Sequence, residues 1–139
     1  MKRLVLAAVL ALALTTAAFA GVQDFGNFTV DVPAGWTAEQ DGETVGIVKN
    51  DNTASMSITV DATEGATIKE LADAFVDALN GRNLKADGGN YTFEMTNANG
   101  VDSKAFLSGE GGKYALIVVT GLENAPDEIS AIINSLQEK

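Results

Sequence analysis

Apolar and polar residues alternate along short stretches of this chain, and that period of two commits most of it to β-strands with one wet face. The cleanest run sets Met56, Ile58 and Val60 against Ser57, Thr59 and Asp61. Phe28, Val30 and Val32 alternate in the same way with Thr29 and Asp31, and Pro33-Ala34-Gly35 ends that strand. Between them, Thr44 to Lys49 places Val45 and Ile47 on one face behind an Asp41-Gly42 turn signal. Asn50-Asp51-Asn52 supplies the next turn, so these three strands read as a meander.

At Thr67 the period changes to that of a helix. Thr67-Ile68-Lys69-Glu70 has the spacing of a capping box, in which hydroxyl and carboxylate satisfy backbone N–H groups at a helix start. Ile68, Leu71, Ala72, Phe75 and Leu79 then share one face, and Gly81 is placed to stop the helix in a left-handed turn. Strands resume with Tyr91, Phe93 and Met95 facing away from Thr92, Glu94 and Thr96, then an Asn99-Gly100 hairpin signal, then Val101 to Leu107. The loop Gly109-Glu110-Gly111-Gly112 leads into Lys113–Thr120, which is apolar on both faces from Ala115 to Val119. Such a strand belongs at the centre of a sheet, covered on both sides. Pro126, Asp127 and Glu128 open a second helix whose buried stripe is Ile129, Ile132, Ile133 and Leu136. The order β-β-β-α-β-β-β-α predicts an α+β domain, an antiparallel sheet of about six strands packed with two helices.

Residues 1–20 are expected to be a cleavable export signal rather than part of that domain. Lys2 and Arg3 form a positive start, Leu4 to Leu14 an apolar core, and Ala18-Phe19-Ala20 a small-x-small cleavage site. The apolar run falls short of the ~20 residues that span a bilayer. No Cys stands near the cut to carry a lipid, so residues 21–139 are expected as one domain without a membrane anchor, periplasmic or secreted. With Lys2 and Arg3 gone, seven basic residues face 19 acidic ones, a net charge of −12. That charge repels nucleic acid and anionic lipid. Stability has to come from a hydrophobic core, because the chain has no Cys to cross-link.

The absence of His and Cys removes the common nucleophile pairings, thiolate chemistry and Cys/His zinc sites. Paired carboxylates remain as a route to acid–base chemistry, with Asp31, Asp61, Glu94 and Glu110 as candidates. All four fall on wet strand faces or in turns, where the simpler reading is a solvated acid. A Ser–Lys pairing of Ser103 or Ser108 with Lys104 or Lys113 has no supporting motif. Asn50-Asp51-Asn52-Thr53 and Asn97-Ala98-Asn99-Gly100-Val101-Asp102 offer oxygen ligands for calcium, yet neither fits the twelve-residue calcium loop, and turn formation accounts for both. Gly109–Lys113 fails the phosphate-loop pattern and enters a strand rather than a helix. Asn27-Phe28-Thr29 and Asn90-Tyr91-Thr92 are glycosylation sequons that matter only on a eukaryotic secretory route. Trp36 reads either as an exposed binding anchor or, more simply, as a cap on the end of the core.

The stretch Phe28-Thr29-Val30-Asp31-Val32-Pro33-Ala34-Gly35-Trp36 resembles the opening of the PsbP/Mog1-like superfamily, an alternating strand followed by Pro-x-Gly-Trp. The resemblance implies an α-β-α sandwich, whereas the wet strand faces argue for thin helix cover on one side. Members include an extrinsic subunit of plant photosystem II, a regulator of the GTPase Ran and many bacterial envelope proteins. The resemblance therefore implies a non-catalytic binding or accessory protein working through protein contacts. The acidic surface itself offers the alternative, weak binding of calcium or another cation. The resemblance transfers no catalytic, cofactor or metal residue, since Pro33, Gly35 and Trp36 look structural. Intact mass of the exported protein is expected to match residues 21–139, and a mass that retains Ala20 or any residue before it would refute the cleavage site.

Overall fold

The computed structural model describes residues 21–96 and 100–138. The alternating segments become strands, but the described residues hold ten of them rather than about six, divided between two antiparallel sheets. The larger sheet runs, in spatial order, β3 (Trp36–Asp41), β4 (Thr44–Lys49), β5 (Ser55–Ala62), β9 (Lys113–Thr120), β8 (Asp102–Glu110), β7 (Asn90–Thr96) and β6 (Arg82–Asp87). The smaller one places β2 (Phe28–Val32) between β1 (Gly21–Asp24) and β10 (Gln137–Glu138). This corrects the expected meander: β2 belongs to the second sheet, and the hairpins are β3-β4 and β4-β5.

β9 sits at the centre of the large sheet, as its doubly apolar sequence requires. It pairs with β5 on one side and β8 on the other. Ala115, Ile117 and Val119 point to one face, where Ile129 and Ile132 of helix α2 (Pro126–Ser135) close a core with Phe28, Val30, Val32 and Trp36. Leu116 and Val118 point to the other, where helix α1 (Ile68–Ala78) brings Ala72, Leu71 and Phe75 against Phe93, Ala105 and Leu107. Helices therefore cover both faces. The cover is diagonal, because α2 and the small sheet lie over β3, β4, β5 and β9, while α1 lies over β9, β8 and β7. The wet strand faces are the two quarters left open.

The Thr67–Glu70 capping box forms, with the Glu70 N–H donating to Thr67 Oγ1 at 3.1 Å and the Thr67 N–H donating to Glu70 Oε1 at 2.8 Å. The helix stop differs from expectation by one residue. Asn80 takes the left-handed conformation, with φ 57°, and the Gly81 N–H donates to Val76 O at 2.7 Å to complete the C-terminal turn. Gly81 serves a different need, since a Cβ there would sit 2.7 Å from the Phe93 ring. The Gly109–Gly112 loop is also tighter than expected. Only Gly111 and Gly112 form the turn, at φ 62° and 79°, while Gly109 lies in β8 beneath Ile68. β7 and β8 pair antiparallel, and the Asn99-Gly100 turn signal between them lies partly outside the described residues.

Among the described residues no helix is long and apolar enough to cross a membrane. Gly121 ends β9 at φ 74°, and a Cβ there would meet Thr53 O at 2.2 Å and Ala54 Cα at 3.0 Å. Gly121→Ala is expected to cost about 2 kcal/mol or more through backbone strain and this clash. Gly46 in β4 has open space around it, so Gly46→Ala is expected to stay within about 0.5 kcal/mol of the parent. Urea unfolding of both variants checks the contrast.

Candidate functional site

The four candidate carboxylates do not converge. Asp31 is on β2 in the small sheet, where its backbone N–H donates to Ser135 Oγ at 2.8 Å. Asp61 and Glu110 flank the same end of β9, opposite Tyr114 and Lys113, and therefore project from opposite faces. Glu94 lies on β7 within 3.9 Å of Arg82 and accepts from Asn83 Nδ2 at 3.2 Å. No two of them are placed to share a substrate. Ser103 exchanges a 2.7 Å hydrogen bond with Thr120 on the α1 face, whereas its neighbour Lys104 points to the α2 face. Ser108 shares the α2 face with Lys104, but four strand residues put them ~13 Å apart. Lys113 sits on that face at the hairpin end, two residues along β9 from the position opposite Ser108.

The oxygen-rich turn at Asn50–Thr53 uses its acid internally. Asp51 Oδ1 accepts from the Thr53 hydroxyl at 2.6 Å and the Thr53 N–H at 3.0 Å, and Oδ2 accepts from Lys49 Nζ at 3.1 Å. The second oxygen-rich stretch includes Asn97–Asn99, outside the described residues. Its Asp102 accepts from the Thr96 hydroxyl at 2.7 Å and faces Arg82 at 3.4 Å, and these donors, Thr96 first, lower its pKa. Among the described residues no group of three acids, His or Cys is placed to hold a metal ion. Trp36 is 2% exposed and donates from Nε1 to Glu128 Oε2 at 2.9 Å. It caps the core beneath α2, which overturns the exposed-anchor reading. Of the sequon asparagines, Asn27 spends its side chain donating to Val60 O at 3.1 Å, and Asn90 is exposed at the start of β7.

What the sheet leaves open is more informative than the motifs. Where β6, β7 and β8 run out past α2, their uncovered face borders a trough of about 640 Å³. Phe106 of β8, Ile117 of β9 and Ile133 of α2 line it with apolar surface. Lys85 of β6 and Lys104 of β8 stand at its rim, the Lys104 ammonium 5.6 Å from the centre of the Phe106 ring. The trough continues between α2 and the β8-β9 hairpin into a second hollow of about 480 Å³ that reaches Glu110, Leu136 and Glu138. Sequence reasoning missed this place. Lys85 and Phe106 carried no motif, and only the register across three strands brings them together. The other open quarter, over β3 to β5, is a flat strip centred on Thr44, Ser57 and Thr59, where the Thr44 and Thr59 hydroxyls meet at 2.7 Å. Burial raises the pKa of Glu39 at its margin.

The hydrogen bonds from Thr53, with Lys49 behind them, hold the Asp51 carboxyl at about 2, against an ordinary value of 3.8. A carboxyl depressed in this way stabilises the folded turn above pH 3.8 and loses that contribution as pH falls through about 2. An NMR titration is expected to place the Asp51 midpoint near 2 and to move it upward in Thr53→Val. An unshifted midpoint in that variant would contradict the assignment.

No protein-family model matches the chain, and no curated protein matches it. Solved structures do. One is a protein from Bacteroides thetaiotaomicron, with a TM-score of 0.57 and 14% identity over 87% of this chain. The chain spans about half of that protein's length, 49%. Another is the cyanobacterial PsbP, CyanoP, of Synechocystis sp. PCC 6803, with a TM-score of 0.55 and 15% identity over 87% of this chain and 94% of that one. The antiparallel sheet between two helices that the Pro33-Ala34-Gly35-Trp36 stretch implied is the arrangement found, and the chain has a PsbP-like fold.

Proposed function

We propose that the protein is an exported, non-catalytic binding or accessory protein of the cell envelope that works through protein contacts. The observation that carries this reading is the diagonal cover of the sheet. Part of each face is left open, while the candidate acids and the Ser103–Lys104 pair are scattered over separate elements or opposite faces. Surfaces of that kind suit recognition rather than bond-making, which needs groups brought within hydrogen-bond reach of one another. Support for export comes from the pattern of the first 20 residues, and the net negative charge disfavours nucleic acid and anionic lipid as partners. The PsbP-like fold agrees with the accessory role that the sequence resemblance implies.

The alternative, weak cation binding, has less behind it. Asp51 is already bonded to Thr53 and Lys49, and Asp102 to Thr96. The immobilised processed chain is expected to retain at least one envelope protein reproducibly at physiological salt. Ser57→Arg, which sets a bulky charge on the open strip, should discard that protein if the strip is the surface used. Recovery of nothing above a blank resin would defeat the protein-contact reading.

A further inference from the structure

We propose that the trough beside α2 is a binding site for a free amphipathic carboxylic acid, its carboxylate held between Lys85 and Lys104 and its apolar chain laid on Phe106, Ile117 and Ile133. The first observation is a charge imbalance. Of the other described cations, Lys49 is paired with Asp51, Lys69 with Asp73, and Arg82 with Glu94 and Asp102. Lys113 also has a partner. Lys85 and Lys104 form no ion pair among the described residues, although acids surround them. Glu94 stands directly opposite Lys104 in the register and turns to Arg82 instead. Asp87, on the same rim as Lys85, also leaves it unpaired. In a chain with so few basic residues, two unpaired ammonium groups on one hollow are an address for a carboxylate.

Geometry supports the same ligand. Lys85 is opposite Thr92, and Thr92 opposite Phe106, so the two lysines lie on either side of β7 on one face. Two strand spacings and an offset of two residues along β8 put their backbones roughly 12 Å apart, a gap that two lysine side chains can close around one carboxylate. Below them the apolar lining continues along α2 toward Leu136. A volume of about 640 Å³ falls in the range of roughly 300–1,000 Å³ that small-molecule sites occupy.

Two features favour a small acid over an extended acidic peptide. β6, the edge strand that bounds the trough, carries Lys85 and a register shift between Arg82 and Lys85 with Asn83 at φ 57°. Both oppose the addition of a further strand. A many-charged acidic partner also meets the repulsion of the whole chain once for every charge it carries, whereas a single carboxylate meets it only once. This inference goes beyond the protein-contact reading and stands or falls separately from it.

The test uses sodium decanoate, below its micelle concentration, against the purified processed chain, by calorimetry and by amide chemical-shift mapping. Saturable one-to-one binding is expected, with shifts at Phe106, Ser108 and Ile133. Lys85→Gln/Lys104→Gln should weaken it at least tenfold without altering the melting temperature, because both side chains are exposed. Decanol, which has the chain and lacks the charge, should bind at least tenfold more weakly than decanoate. The proposal is overturned by any of four results: no saturable binding, equal affinity for decanol, unchanged affinity in the double variant, or tighter binding of an acetyl-Leu-Val-Leu peptide with a free C-terminus.

Discussion

Both cores of this protein hang on one strand. β9 gives Ala115, Ile117 and Val119 to the core under α2, and Leu116 and Val118 to the core under α1. Each fully buried aliphatic side chain contributes about 1.5–3 kcal/mol, and this strand at the sheet centre supplies such side chains to the cores on both sides. Its hydrogen bonds run to β5 and β8 over its whole length. Each core is then finished by a different helix. A polar substitution at Ile117 or Leu116 would strand a group away from water beside one helix only, while a break in the ladder would loosen both.

The diagonal cover follows from composition. β3, β4 and β5 offer apolar residues to α2 and hydroxyls to the other face, and β7 and β8 offer Phe93, Ala105 and Leu107 to α1. Neither helix extends across the sheet, because the far half of each face is mostly polar, with Phe106 the apolar exception on the α2 side. The acidic charge is consequently carried on open half-faces, turns and helix surfaces, with no buried acid anywhere among the described residues.

Much of this was legible in the chain because it is local. Thr67 and Glu70 announce a helix start within four residues, and the doubly apolar Lys113–Thr120 announces its central place. The strands that escaped notice have little apolar pattern to show. β6, Arg82–Asp87, is an edge strand whose only inward side chain is Leu84, and β3 after Trp36 is polar because one of its faces is wet. The assignment of Gly81 as the left-handed residue failed because Asn80 tolerates that conformation while Gly81 is needed beside Phe93. The trough was invisible for a deeper reason. Lys85, Lys104 and Ile133 lie on β6, β8 and α2, and no spacing along a chain records that three elements leave a gap.

The placement of β9 also orders events in time. The residues of β3, β4, β5, α1, β7 and β8 all precede residue 113, so a chain cut short there has neither core's central strand. The pairing of β5 with β9 closes a loop of more than fifty residues, a non-local contact of the kind that slows folding. Without its last quarter the chain therefore has no strand to join β5 to β8, and the two halves of the large sheet share no other seam.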